Sequence, residues 1–161
     1  MVLGMSIATF TVVHVVISLI AIAAGAVACA RMLAGRTLDA WNSMFLLFTV
    51  LTTLTGFLFP ITAFTPAIGV GIVSSVALAI ALLALYAGRL AGPWRWVYVA
   101  SALFAFYLNV FVLVVQSFQK IAFLNKFAPT GSEPPFAVVQ GIVLLGFILL
   151  GFLALRRFRP A

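Results

Sequence analysis

Five long apolar stretches divide the chain, with short polar gaps between them. They cover residues 6–30, 41–59, 66–88, 97–118 and 136–155. Each stretch is apolar on every face and approaches the roughly 20 residues that an α-helix needs to cross a bilayer. Strands of a membrane barrel would instead alternate apolar and polar positions. The sequence therefore predicts an all-α integral membrane protein, with residues 1–161 forming one bundle of five transmembrane helices.

The gaps contain residues that end helices, such as Gly35 in the first gap and Pro60 in the second. The longest gap, residues 119–135, is predicted to be an outer loop, either an amphipathic segment on the membrane interface or a plain connector. Ser132 is predicted to cap the fifth helix, with Glu133 in the first turn. The second stretch is short and rich in threonine, so it is the one most open to tilting or to a partly re-entrant path.

The positions of the basic residues predict an orientation. Cytoplasmic loops of membrane proteins carry an excess of Lys and Arg. An odd number of spans with the N-terminus outside places every arginine on the cytoplasmic side and leaves only Lys120 and Lys126 outside. We therefore expect an N-out/C-in protein of the bacterial inner membrane. The arginines are Arg31, Arg36, Arg89, Arg95, Arg156, Arg157 and Arg159.

Composition excludes several classes of protein. With 66% apolar and 7% charged residues and a mean hydropathy of +1.33, the chain cannot cover a water-soluble fold with polar surface. The formal net charge of +7 does not indicate a nucleic-acid partner, because the basic residues flank apolar stretches and form no stripe on one helix face. The single cysteine, Cys29, excludes an internal disulfide.

Polar side chains inside the spans are the candidate functional residues, because burying a polar group in lipid without a partner is costly. No charged residue falls within a span, which disfavours proton relays and voltage sensors. Most of the neutral polar residues lie in one layer near the bilayer midplane, about 12–15 Å from the outer ends of their helices. The predicted ligand-binding residues are His14, Thr49, Thr52, Thr53, Asn109 and Gln116.

Two specific pairings follow from depth and helix face. Thr49, Thr52 and Thr53 share one face of the second helix, as the spacing of helical neighbours requires. We expect His14 to form a hydrogen bond with Asn109 or with a hydroxyl of this threonine stripe. Gln116 and Gln140 lie at a shallower depth, where a second pairing across the fourth and fifth helices is geometrically allowed. The alternative interpretation is that the polar layer only holds the helices together.

The sequence favours a non-catalytic protein without a cofactor. The two carboxylates, Asp39 and Glu133, lie in loops, and no phosphate-binding loop or metalloprotease motif is present. Haem held by two histidines would need a second histidine, which only a homodimer of His14 could supply.

Two short segments resemble a pattern in small, uncharacterised bacterial multispan membrane proteins. They are residues 108–116, LNVFVLVVQ, and residues 128–136, APTGSEPPF. This resemblance implies a bacterial origin and no activity. The number of spans is also similar to that of the five-helix tryptophan-rich sensory proteins, which bind porphyrin and sterol. The chain departs from them because it has three tryptophans and lacks their Trp/Pro-rich loop after the first helix, so only the architecture is comparable.

These observations favour two related functions: an accessory subunit of a membrane complex, or a receptacle for a small apolar or amphipathic ligand such as a lipid, a quinone or a sterol-like molecule. The expected partners are membrane lipid, such a ligand, and further copies of the chain or a larger complex. The alternative is a small oligomeric channel or facilitator for a neutral solute. A channel needs polar lining through its full depth, whereas here the inner half of each span is almost wholly apolar.

Overall fold

The computed structural model describes residues 1–60 and 63–159, and regular structure in this part is helical, apart from one isolated bridge between Val2 and Met5. Five helices are long and apolar enough to span a membrane, as the sequence predicts. A sixth, α5, is a single turn that lies between the last two long helices. The bounds are α1 Ile7–Leu33, α2 Ala40–Phe57, α3 Pro66–Leu82 with a π-helical turn Leu83–Ala87, α4 Pro93–Lys120, α5 Ala122–Asn125 and α6 Pro134–Arg157.

Helix α4 lies at the centre of the bundle and packs against α1, α2, α3 and α6. In the most apolar window of each helix, half of the residues of α4 are buried but only 11% of those of α6. Helix α6 therefore contributes one narrow face to the bundle. Its outer face is exposed and apolar, with Val138, Ile142, Leu145 and Leu149 on the outside, as expected for a helix that contacts lipid.

The two ends of the bundle differ in charge. The α1–α2 loop, the α3–α4 turn and the C-terminal residues lie at one end, and all seven arginines lie in these segments or in the helical turns next to them; we call it the arginine end. There Arg31 forms an ion pair with Asp39 at 2.7 Å, and Arg95 donates to the backbone carbonyl of Leu155 at 3.0 Å and to that of Phe158. The opposite end carries Lys120 and Lys126 and is called the lysine end.

The core is packed most tightly in the half of the bundle near the arginine end. Gly25 of α1 is buried there against the rings of Phe45 and Phe106, which meet edge to face. Nearer the arginine end, the fully buried Tyr98 hydroxyl donates a hydrogen bond to the side-chain oxygen of Asn42. These contacts join α1, α2 and α4 without space for a solute.

Several predicted boundaries need correction. Helix α4 begins at Pro93 rather than at residue 97, because proline at the first helical position loses no hydrogen bond, and it continues to Lys120, inside the predicted outer loop 119–135. Helix α1 continues to Leu33, where Gly35 adopts a positive φ of 68° just beyond its end. Helix α2 is one continuous helix from Ala40 to Phe57.

The cap of α6 also differs from the prediction. Glu133, not Ser132, occupies the N-cap position. Its carboxylate accepts hydrogen bonds from the Thr130 amide at 3.0 Å, the Thr130 hydroxyl at 2.8 Å and the Ser132 amide at 3.1 Å. Desolvation acts to raise the pKa of Glu133, but the bonds from Thr130 and Ser132 outweigh it and lower the pKa. The loop before α6 is therefore held by an ionised carboxylate.

Candidate functional site

A groove of about 510 Å³ opens between the lysine-end halves of α1, α2, α3 and α4. We call it the groove. The chain between α2 and α3 contributes Phe59, Pro60, Ala63 and Thr65 to its rim. Its polar lining consists of Thr11, His14, Ser18, Thr52, Thr53, Thr65, Ser74, Asn109, Gln116 and Lys120. Its remaining walls are apolar.

His14 is held against α2 at the groove wall. Its Nδ1 lies 2.7 Å from the Thr55 hydroxyl oxygen, and that hydroxyl donates to the Leu51 carbonyl at 2.7 Å. Because a hydroxyl has one proton, this network is satisfied when Nδ1 carries the ring proton. Nε2 then remains an acceptor. Phe59 packs edge-on against the imidazole with 5.3 Å between ring centroids, so the ring orientation is fixed from two sides.

The partner predicted for His14, Asn109 or a hydroxyl of the threonine stripe, is therefore wrong. The observed partner is Thr55, another threonine of the same helix. Thr55 lies outside the stripe of Thr49, Thr52 and Thr53, on the adjacent face of α2. Sequence spacing gives the relative directions of side chains on one helix, but it does not give the rotation of that helix against its neighbour.

Helix α2 also forms the polar links to α3 and α4. The Asn109 side-chain amide donates to the fully buried Thr49 hydroxyl at 3.1 Å, and the Thr53 and Ser74 hydroxyls lie 3.3 Å apart. The predicted polar layer is thus present, and each link joins α2 to a different helix. Thr52 lines the groove and donates to the Phe48 carbonyl at 2.8 Å.

Substituting Thr49 with valine tests the link between α2 and α4. The variant removes the buried acceptor of the half-buried Asn109 amide, so we expect a loss of about 1 kcal/mol in the free energy of unfolding. Thr49→Ser keeps the hydroxyl and should recover most of the loss. Denaturation in SDS mixed micelles measures both variants, and equal stability of Thr49→Val and the wild type would contradict this role.

Gln116 and Gln140 do not form the pair that their depth allows. The Gln140 amide donates to the backbone carbonyl of Phe111 at 3.1 Å and therefore fastens α6 to α4. Gln116 lines the groove instead. Within residues 1–60 and 63–159 no hydrogen bond to the Gln116 side chain is found, so its amide is available to a molecule in the groove.

Lys120, at the end of α4, lines the mouth of the groove and was not among the predicted site residues. The signal was present in the sequence, since Asn109, Val112, Gln116 and Lys120 recur at three- and four-residue steps and so share one helix face. Ser18, one turn after His14, also lines the groove and was not among the predicted site residues.

The groove is closed toward the arginine end and open at the lysine end and at its side. Its deepest lining residues are Ile22, Ser74 and Leu108, beyond which lies the packed cluster around Gly25 and Phe106. At the side, lining residues such as Val15, Leu19 and Leu113 stay exposed to between 36% and 47%. The groove can therefore be reached from the side of the bundle as well as from the lysine end.

No protein-family model, no curated protein and no solved structure matches this chain. Within the described part of the chain, no group of His, Cys, Asp and Glu side chains could hold a metal ion. The lining offers neutral hydrogen-bonding groups, apolar walls and one cation. This chemistry suits the binding of an amphipathic molecule.

Proposed function

We propose that this protein is a membrane-embedded receptacle for a small amphipathic ligand, which it holds non-covalently in the groove. The observation that carries the proposal is the groove itself: about 510 Å³, bounded by four helices, with apolar walls and a few polar groups. Sites for small molecules are usually concave, mostly apolar and between about 300 and 1,000 Å³. Both the volume and the lining fall in this class.

The lining residues have two proposed roles in binding, apolar contact and hydrogen bonding. Leu19, Ile22, Leu108 and Val112 supply apolar contact, and burial of apolar surface supplies most of the affinity. The amide of Gln116 supplies hydrogen bonds that orient the ligand, and Nε2 of His14 is an acceptor for a ligand that carries a donor. Thr49, Thr53 and Asn109 are already bonded to other helices, so their proposed role is to keep the groove walls in position.

The shape of the groove supports a receptacle over a channel. A conduit for a neutral solute needs a polar path through the whole bundle. Here the polar lining ends at the level of Ser74 and Asn109, and the half near the arginine end is filled by buried side chains such as Phe45 and Leu103. An enzymatic role finds no support either, because the groove contains no carboxylate to act with His14.

The proposal includes a membrane setting. With the arginine end in the cytoplasm, as the positive-inside rule favours, the groove opens in the outer half of the bilayer. We propose a bacterial inner membrane and an N-out/C-in orientation on this basis. Membrane lipid would then cover the exposed outer face of α6 and would also be the source of candidate ligands.

Equilibrium binding tests the proposal. The protein in lipid nanodiscs is titrated with a neutral single-chain amphiphile that carries an environment-sensitive fluorophore. A receptacle gives a fluorescence signal that saturates at one probe per chain. This signal adds to the linear increase that partitioning of the probe causes in empty nanodiscs. Linear partitioning alone, at every lipid composition tested, would contradict the proposal.

A further inference from the structure

We infer that the ligand of the groove is a single-chain amphiphile with a singly charged anionic head group, of the fatty-acid carboxylate class, whose head pairs with Lys120. This inference rests on the proposed function and adds the chemical class of the ligand. Three features of the structure carry it: a cation at the groove mouth without a carboxylate partner, a groove of matching length, and an apolar floor.

The cation at the mouth has no acidic partner within the chain. The sequence contains two acidic side chains. Asp39 is paired with Arg31 at the arginine end, and Glu133 is engaged by the amide and hydroxyl groups of Thr130 and Ser132. In the part of the chain that the structure describes, Lys120 therefore forms no salt bridge. Its exposed ammonium group is free to attract an anion where the groove meets the membrane interface.

The length of the groove fits one alkyl chain below that head group. Lys120 and Leu108 both line the groove and are twelve residues apart on the same helix. At a rise of 1.5 Å per residue the two positions are about 18 Å apart along the axis. An extended alkyl chain of roughly 14 carbons, at about 1.3 Å per carbon, covers that distance. A volume of about 510 Å³ is in the range of a site for one small ligand.

The charge of the mouth favours a carboxylate over a phosphate. Among residues 1–60 and 63–159, Lys120 is the one cation that lines the groove; Lys126, the other lysine at this end, does not line it. A phosphate monoester carries about −1.5 to −2 charges near neutral pH, so one lysine would leave part of its charge uncompensated. A carboxylate carries one charge, which the ammonium group balances. Gln116, one turn below Lys120, can donate a hydrogen bond to the same oxygen atoms.

Competition against the fluorescent neutral probe tests the inference. Tetradecanoate, tetradecanol and tetradecyl phosphate are compared on the wild type, on Lys120→Met and on the matched control Lys126→Met. We expect tetradecanoate to compete best on the wild type and to lose about two- to fivefold in affinity in Lys120→Met, the range of an exposed ion pair. Its affinity should be unchanged in Lys126→Met and should fall at high salt.

The outcomes separate the inference from the proposed function. If tetradecanol competes as well as tetradecanoate and Lys120→Met changes neither, the head-group inference is wrong while the receptacle stands. If tetradecyl phosphate competes best, the carboxylate class is wrong. If Lys126→Met lowers tetradecanoate affinity as much as Lys120→Met, the effect is general surface charge and the inference is overturned. Absence of saturable probe binding in the wild type would refute the receptacle itself.

Discussion

Alanine at Gly25 should lower the free energy of unfolding by about 1–3 kcal/mol, the usual cost of overpacking a core. A methyl group built on Gly25 would lie 2.8 Å from a ring carbon of Phe106 and 2.9 Å from one of Phe45. Neither ring can withdraw easily, because both are buried and Phe106 also meets Phe147 edge to face. The expected loss is therefore larger than the gain that alanine normally brings to a helix.

Gly141→Ala is the matched control for this prediction. Gly141 lies on α6, and a methyl group there would have nothing within 4 Å. The free energy of unfolding of Gly141→Ala should equal that of the wild type or exceed it by up to about 1 kcal/mol, the usual gain of alanine over glycine in a helix. Denaturation in SDS mixed micelles compares the two variants. Equal stability of Gly25→Ala and Gly141→Ala would show that α1, α2 and α4 are not packed as described.

Filling the groove should abolish ligand binding. Val112 lines the groove midway between Asn109 and Gln116, so tryptophan at this position places a large ring in the volume that the ligand needs. We expect Val112→Trp to reduce the affinity for the neutral fluorescent probe by about tenfold or more, which corresponds to about 1.4 kcal/mol or more of lost binding energy. Because the ring enters an existing space, the bundle should remain folded.

Val138→Trp is the control for the groove-filling variant. Val138 is 58% exposed on the outer face of α6 and does not line the groove. This variant should bind the probe like the wild type. Thermal unfolding in detergent, followed by circular dichroism, checks that both variants are folded. Undiminished binding by a folded Val112→Trp protein would place the ligand elsewhere.

The sequence was sufficient for the architecture because lipid allows few alternatives. An apolar stretch of about 20 residues must be helical to satisfy its own backbone, so the number of helices follows from hydropathy alone. The exact first and last residues of the helices did not follow from hydropathy. Pro93, Trp94 and Arg95 lower the mean hydropathy at the start of α4, yet they continue the helix toward the interface, where aromatic and basic residues are favoured.

The sequence predicted the level along the bundle at which the candidate site residues lie, but it did not predict which of them form hydrogen bonds with each other. His14 and Asn109 do lie at the level of the threonines of α2, since depth depends only on the rise per residue. Their individual partners, Thr55 and Thr49, depend on how each helix is rotated about its axis. With mostly apolar residues on every face, as in α1, the hydrophobic pattern gives little information about that rotation. For the same reason the pairing of Gln116 with Gln140 that depth allowed could not be excluded from the sequence.

Lys120 shows a different limit of sequence reasoning. A lysine at the end of a transmembrane helix is usually explained by orientation and snorkelling. Its spacing from Gln116 places it on the same helix face, but the sequence does not show that this face borders a groove. Only the packing of α4 against α1 and α3 places this lysine at the mouth of a groove. The combination of a cation, a hydrogen-bonding wall and an apolar floor depends on four helices that are distant in sequence.

Photo-crosslinking tests the central claim most directly. A single-chain amphiphile with a diazirine in the middle of its alkyl chain is bound to the wild-type protein in nanodiscs, irradiated and mapped by peptide mass spectrometry. The receptacle predicts adducts on groove residues of α1 and α4, above all Leu19, Leu108 and Val112. Adducts spread over the outer face of α6, at Val138, Ile142 and Leu145, with none in the groove, would contradict it.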